Sequence, residues 1–229
     1  KAPHRHWEPD VKHARLYENE QIPEPETLLD DYSGRCSAAA EARMRVGVHN
    51  TPFDLDHEIP RWMGEDELRR WAYQHYIKRY LRVIASVDDN VGRLLDWLDA
   101  SGEAENTIVV YTSDQGFFLG DHGWYDKRFM YEESLRMPLL VRYPREIAPG
   151  SVCEDMVLNV DFAPTFIDYA GGEIPEPFQG RSARPVLAGN TPDDWQRAMY
   201  YRYWMHDNHH WVRAHYGVRT LDHKLICYY

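Results

Sequence analysis

Cysteine, long apolar runs and a leader-like start are scarce or missing in this sequence of 229 residues. Its three cysteines, Cys36, Cys153 and Cys227, are too few and too scattered for a disulfide framework, although one disulfide plus a free thiol stays open. No C-x-x-C pair indicates a zinc site. No apolar run approaches the roughly 18 residues that cross a bilayer, and no signal-peptide pattern opens the sequence. We therefore expect neither a disulfide scaffold nor a membrane span.

Positive charge is also in short supply. Lys and Arg total 26 against 37 Asp and Glu, which gives a formal net charge of −11. This balance argues against a nucleic-acid phosphate backbone as the partner, while local cationic sites stay open. The 43% of hydrophobic and 14% of aromatic residues can fill a sizeable core, which predicts a globular chain.

Both ends of the sequence look internal. Lys1 is not an initiator Met, and KAPHRHWEP is typical of a loop that follows a strand. HKLICYY alternates like a strand and stops without a turn or a cap. We expect an internal or C-terminal piece of a longer protein.

The hydrophobic pattern predicts an α/β core followed by a small appendage. Residues 1–60 read as extended loops with a short helix near 38–46, and residues 65–100 as one long amphipathic helix stopped by Ser101 and Gly102. Residues 107–112 and 137–143 are typical of strands buried on both faces, and Asp161 can cap a helix over 161–170. These elements imply a sheet with helices on its faces, over residues 1–190. Three aromatic-rich strand patterns then predict an antiparallel subdomain over 191–229.

Asp114, Gln115 and Gly116 fall just past the first predicted strand, where open α/β sheets bind ligands. A carboxylate beside a carboxamide offers two hard oxygen donors suited to Ca²⁺ or Mg²⁺, and Gly116 allows the backbone to turn sharply. The alternative is a strand-ending Asp in an Asx turn, which we would favour for an isolated S-D-Q-G.

The residues that follow change that balance. Gly-Asp-His-Gly-Trp occupies positions 120–124, Lys127 stands twelve residues after Gln115, and Tyr131-Glu132 and Arg136-x-Pro138 lead into the next strand. This order resembles a signature of the sulfatase family within the alkaline-phosphatase-like superfamily. The resemblance implies part of the sulfatase α/β sandwich, with Asp114 and Gln115 as calcium ligands and Lys127 contacting the sulfate oxygens and the leaving oxygen. Gln115 replaces the commoner Asn or His of the family and keeps an oxygen donor. A solvated surface lysine is the alternative for Lys127.

KAPHRHWEP is similar to the A-P-H loop with which sulfatases supply a catalytic histidine. The resemblance implies that His4 lies near the leaving oxygen, where an imidazolium can protonate a departing alkoxide. His6 shares the loop, and an extended chain points both rings the same way, so it is the alternative or a substrate contact. Two exposed loop histidines beside an anchoring Trp7 are the other interpretation.

Further histidines are candidates for contacts with substrate. His122 in G-D-H-G lies either at the rim of the pocket or in a backbone-bonded turn. V-R-A-H-Y-G-V-R-T resembles the C-terminal part of glucosamine-6-sulfatase-like members, which implies that His215 meets the sugar. For His206, His209 and His210 we favour surface loops over a transition-metal site.

The nucleophile motif of sulfatases, a Cys or Ser in C-x-P-x-R that matures to formylglycine, is missing, as are the two further acidic calcium ligands. The resemblance therefore maps to the latter half of a sulfatase, periplasmic, secreted or lysosomal. It implies Ca²⁺, a sulfated sugar or other sulfate ester, and the missing N-terminal half as partners. The isolated chain is expected to be inactive, with exposed strand edges and apolar surface. The competing hypotheses are a phosphatase or phosphonate monoester hydrolase of the same superfamily and a noncatalytic carbohydrate-binding domain.

Overall fold

The computed structural model describes residues 2–206 and 210–229. Among these residues, no helix is long and apolar enough to cross a membrane. The helices are α1 Ser37–Glu41, α2 Pro52–Leu55, α3 Glu65–Ser101, α4 Glu132–Leu135, α5 Phe162–Tyr169 and α6 Arg184–Leu187. The strands are β1 Val109–Thr112, β2 Phe118–Leu119, β3 Tyr125–Asp126, β4 Leu139–Arg142, β5 Ala198–Tyr203, β6 His215–Thr220 and β7 Lys224–Tyr228.

The long helix predicted from periodicity is confirmed as α3, which has 37 residues. Three acidic residues occupy its first turn, where their negative charges stabilise the helix by interacting with the positive end of its dipole. Gly102 ends it with φ of 76°, a left-handed conformation that glycine adopts without strain. The buried side chains Ala72, Tyr76 and Ile77 face Trp7, which is fully buried in the wrapping segment of residues 2–60. The helix therefore anchors the loop that carries the candidate histidines.

β1 and β4 form an antiparallel pair in which Val110 lies opposite Val141. The prediction that these strands are buried on both faces was wrong, since Leu140 is 61% exposed and Tyr111 36%. Their sheet has only two strands within the described residues, so no neighbouring strand covers the outer face. The exposed apolar surface expected of an incomplete sheet is thereby confirmed.

α5 confirms the helix predicted over 161–170, with one correction at its start. The Asp161 carboxylate accepts a hydrogen bond from the Leu158 amide at 2.8 Å and so closes the preceding 3-10 turn instead of capping α5. It also accepts from the Arg181 amide at 2.9 Å, which ties the next loop to the helix. The short α6 lies between α5 and the C-terminal sheet.

The C-terminal subdomain is a three-stranded antiparallel sheet in the order β5-β6-β7, as predicted. It packs closely on the core at Gly217, because a Cβ added there would lie 2.5 Å from the Met130 sulfur. On the core side, the buried Trp124 stacks on Phe129 with ring centroids 4.8 Å apart. The sheet therefore rests against the segment that directly follows Lys127.

Candidate active site

The structure brings Lys127 and His4 together. The Lys127 ammonium lies 3.2 Å from Nε2 of His4, although 123 positions separate the two residues in the chain. The same ammonium lies 3.2 Å from an Asp126 carboxylate oxygen and 5.6 Å from the centroid of the Phe117 ring. A charged group so placed, with its side chain 18% exposed, can meet an anion from solvent.

The loop that carries His4 is fixed on both sides of it. The buried Trp7 indole donates to the Pro3 carbonyl at 2.8 Å, and the Arg5 guanidinium bonds both oxygens of the fully buried Asp54. The Arg5 carbonyl lies 2.8 Å from Nδ1 of His4. A carbonyl oxygen can only accept, so Nδ1 carries a proton and Nε2 is the nitrogen directed towards Lys127.

His6 is oriented differently from His4, which corrects the expectation that both rings point the same way. Its Nδ1 lies 3.4 Å from Asp54 Oδ1, and its ring meets Phe53 edge-on with centroids 4.0 Å apart. The structure therefore pairs His4 with Lys127 and His6 with a structural carboxylate. A substrate contact by His6 stays a prediction.

Asp126 is a site residue that sequence analysis missed. It is 2% exposed, and its Oδ2 lies 2.5 Å from the Arg128 guanidinium and 2.9 Å from Nε2 of His210. Burial alone raises its pKa, but the hydrogen bond from His210 and the charges of Arg128 and Lys127 outweigh burial and hold the pKa of Asp126 well below its ordinary value. Asp126 thus places an ionised carboxylate 3.2 Å from the Lys127 ammonium. In the sequence, its position directly between Tyr125 and the Lys127-Arg128 pair was the one available indication that Asp126 belongs to the site.

His210 therefore belongs to this cluster, contrary to the surface-loop interpretation. His209 lies outside the described residues. His206 is exposed.

Asp114 and Gln115 lie directly after β1, as predicted. The Asp114 side chain is exposed and accepts one hydrogen bond from Ser113 at 3.3 Å, while its carbonyl accepts from Asn159 at 2.7 Å. Gly116 is required for close packing, because an added Cβ would lie 2.1 Å from the Glu133 carbonyl oxygen.

The two donors fit Ca²⁺ in kind, since both offer hard oxygen. Calcium takes about six to eight oxygen ligands, and the part of the chain that the structure describes contains no group of three or more His, Cys, Asp or Glu arranged to hold a metal. Asp114 and Gln115 can thus form only part of a calcium shell.

His122 lies in a backbone-bonded turn, one of the two alternatives considered for it. Its amide donates to Thr27 Oγ1 at 2.8 Å and its carbonyl accepts from the Tyr32 hydroxyl at 2.7 Å, which fixes the turn. Its ring lies between Asp30 and Glu133, with nitrogen to oxygen distances of 3.5 and 3.3 Å. It also lines an open cavity of ≈ 240 Å³. Contact with substrate there stays a prediction.

Glu132 holds the rim of that cavity. It pairs with Lys224 at 2.8 Å and with Arg219 at 3.3 Å, both from the C-terminal sheet. Residues distant in sequence therefore brace α4.

His215 lies in the interior, with no solvent exposure. Its Nδ1 donates to the Arg213 carbonyl at 2.8 Å, and its ring packs 5.7 Å from that of Tyr201 and 5.9 Å from that of Phe129. Burial lowers the pKa of His215. The geometry favours a packing role for the neutral ring, and the sugar contact implied by resemblance stays a prediction.

The fold of the described residues is that of alkaline-phosphatase-like proteins, as the similarity to the solved structures given below shows. More narrowly, the chain belongs to the sulfatase family: the family model described as Sulfatase matches residues 2–172. A second model, described as N-sulphoglucosamine sulphohydrolase, C-terminal, matches residues 120–229.

Individual relatives agree with this assignment. An N-acetylglucosamine-6-O-sulfatase of Bacteroides thetaiotaomicron is 43% identical over 272 residues, covering 100% of this chain and 49% of the relative. A structure solved in complex with its substrate D-glucosamine-2-N,6-O-disulfate has a TM-score of 0.90 and 42% identity, covering 100% of this chain and 55% of the other. A phosphonate monoester hydrolase from Silicibacter pomeroyi has a TM-score of 0.76 and 26% identity, with 99% and 46% covered. The chain spans about half the length of the curated relative it matches throughout.

Proposed function

We propose that this chain supplies one side of the active site of a calcium-dependent sulfatase that hydrolyses a sulfate ester on an amino sugar. The observation that carries the proposal is the 3.2 Å contact between Lys127 Nζ and His4 Nε2. Two independent segments thereby direct an ammonium and an imidazole to one point beside the buried Asp126. Such a pair suits an anionic ester with a poor leaving group.

The roles of the two side chains follow from the charge distribution of the reaction. A sulfate ester is an anion, and its transition state places charge on the nonbridging and departing oxygens. The Lys127 ammonium stabilises that charge. With Nδ1–H held on the Arg5 carbonyl, Nε2 is the nitrogen of His4 left to face the departing oxygen. In its imidazolium form, His4 gives the Nε2 proton to the departing alkoxide and returns to the neutral ring.

Asp114 and Gln115 are proposed to hold the calcium ion through their side-chain oxygens. When bound, calcium supplies positive charge against the sulfate oxygens. The sequence contains no C-x-P-x-R, so the nucleophile is assigned to residues outside this chain. We accordingly propose that the 229 residues alone show no turnover, with or without calcium.

The proposed substrate class is 6-O-sulfated glucosamine, because the relative of highest structural similarity given above is in complex with a glucosamine that carries a 6-O-sulfate. We also propose a periplasmic, secreted or lysosomal location, where sulfated glycans are met. Cell fractionation tests the location, and recovery of the protein in the cytosolic fraction contradicts it.

The decisive experiment compares glucosamine 6-sulfate with glucosamine 6-phosphate, using the product of the whole gene. We expect hydrolysis of the sulfate, loss of activity with a calcium chelator and recovery on adding Ca²⁺. The similarity to a phosphonate monoester hydrolase favours one second candidate, a phosphonate or phosphate ester hydrolase. Preference for the phosphate, or for a phosphonate monoester, would establish that candidate and reject ours.

A further inference from the structure

Ser134 lies between the two segments that carry the candidate site residues. It is the third residue of α4 and is 4% exposed. Its carbonyl accepts a hydrogen bond from the Gly116 amide at 2.8 Å, next to Asp114 and Gln115. Its hydroxyl oxygen accepts from the Arg128 amide at 3.1 Å, next to Lys127. One buried residue therefore bonds the backbone of both segments.

The backbone around Lys127 needs such support. Asp126 has φ of 80° and Arg128 has φ of 100°, positive values at which any residue other than glycine is strained. Strain of this kind persists only where neighbouring groups fix the backbone. The Arg128 amide is held by the Ser134 hydroxyl, and the Arg128 carbonyl accepts from the Tyr201 hydroxyl at 2.9 Å. Ser134 and Tyr201 thus hold the strained residue from both sides.

The segment with the metal-binding side chains is held against the same helix. The Glu133 carbonyl lies so close to Gly116 that a Cβ there would be 2.1 Å from its oxygen. This approach and the bond to the Ser134 carbonyl fix the turn after Gln115 against α4. α4 therefore supports both segments, and Ser134 is the residue that bonds each of them.

We propose that Ser134 is a positioning residue, which sets the Lys127 ammonium relative to the oxygens of Asp114 and Gln115. The proposal rests on the function proposed above and deepens it. A positioning role and a packing role for Ser134 predict different effects of removing its hydroxyl. Removal of the hydroxyl alone should disturb the Lys127 segment while leaving the metal-binding turn in place, because the carbonyl that holds Gly116 is retained.

The first test is amide hydrogen exchange of the full-length protein carrying Ser134→Ala. We expect exchange in residues 126–130 to rise about tenfold or more, with little change in residues 114–117. Thr165→Val is the matched control, since Thr165 is also 4% exposed and its hydroxyl accepts from the Ala183 amide at 2.8 Å, in α5. Unchanged exchange in residues 126–130 of Ser134→Ala overturns the proposal, whatever ester the protein hydrolyses.

The second test is kinetic. We expect Ser134→Ala to lower kcat/KM for glucosamine 6-sulfate by about tenfold or more, with calcium affinity within about twofold of wild type, because small misplacements of catalytic groups are costly. Tyr201→Phe removes the hydroxyl that donates to the Arg128 carbonyl, so it should lower kcat/KM as well. It serves as a second variant should Ser134→Ala fail to fold.

Equal losses of kcat/KM in Ser134→Ala and Thr165→Val would show that Ser134 has only a packing role. An inactive wild type would reject the proposed function, while the exchange result would still decide the role of Ser134.

Discussion

The guanidinium of Arg5 donates hydrogen bonds of 3.0 and 2.5 Å to the two carboxylate oxygens of Asp54, which has no solvent exposure. The same carboxylate accepts from the amide and the hydroxyl of Thr51, both at 2.8 Å, and so forms one half of the capping box in which Thr51 caps α2. Burial raises the pKa of Asp54, but the bonds from Arg5 and Thr51 outweigh burial and lower it. Arg5 directly follows His4, so this buried pair fixes the loop that carries His4 to the core.

Replacing Arg5 by Ala should therefore cost about 3–5 kcal/mol of unfolding free energy, because a buried carboxylate loses its charged partner. Urea denaturation measures the loss. Arg15→Ala is the control, since Arg15 pairs with Glu18 where both side chains are exposed, and we expect less than about 1 kcal/mol there. Similar losses in both variants would show that the Arg5 pair has no special role.

Acid sensitivity should come from histidines held neutral. His49 accepts from the Arg45 amide through Nδ1 at 3.4 Å, and burial, then the charges of Arg45, Arg43 and His210, lowers its pKa from 6.5 to about 4. Burial likewise lowers the pKa of His75 to about 4. Below pH 6.5 the unfolded chain binds more protons, so the stabilisation is complete above pH 6.5 and is lost as pH falls towards about 4.

We expect His49→Gln to flatten this pH dependence by on the order of 1–3 kcal/mol between pH 7 and 4, as measured by denaturant unfolding at each pH. His223→Gln, at an exposed position in the turn between β6 and β7, serves as the control. If both variants keep the wild-type slope, His49 does not become protonated on unfolding.

Local pattern was sufficient for part of the fold. The apolar spacing along α3, with Gly102 as its stop, depends only on residues a few positions apart, and the alternation in β5, β6 and β7 is equally local. The wrong prediction for β1 has a physical cause, because the burial of a strand is decided by neighbours that its own sequence does not contain.

The candidate site divides in the same way. His4 and Lys127 both lie in motifs that resemble those of sulfatases, and that resemblance predicted both near the leaving oxygen. The structure shows that the two side chains are in contact. Asp126 and His210 belong to none of the motifs from which the site was predicted. Their contact joins two segments that lie 84 positions apart in the chain, so no local pattern indicates it. The orientation of His6 depends on Asp54, a partner that no local pattern could reveal.

Lys127→Met in the full-length protein should lower kcat/KM for the sulfate ester by about 10²–10³-fold, because a single preorganised group that stabilises transition-state charge contributes about that much. The variant keeps the aliphatic length and removes only the ammonium. Lys12→Met is the matched control, since Lys12 is 69% exposed and pairs with Asp89 on the surface, and its activity should be unchanged. Steady-state kinetics decide between them. Wild-type activity in Lys127→Met would exclude the ammonium from the reaction.

Two glycine substitutions should change stability in opposite directions. A Cβ at Gly217 in β6 would lie 2.2 Å from the Leu225 carbonyl oxygen and 2.5 Å from the Met130 sulfur, so Gly217→Ala must displace either β7 or the core beneath the sheet. We expect Gly217→Ala to lower the free energy of unfolding by about 1–3 kcal/mol, which is typical of overpacking.

Gly92 lies inside α3 with nothing within 4 Å of an added Cβ. Gly92→Ala should therefore raise the free energy of unfolding by about 0.5–1 kcal/mol through helix propensity alone. Neither change alters charge, and the midpoint of chemical denaturation reports both. A gain in Gly217→Ala would mean that the C-terminal sheet is not packed against Met130 in solution, and that the support it gives to the segment after Lys127 is absent.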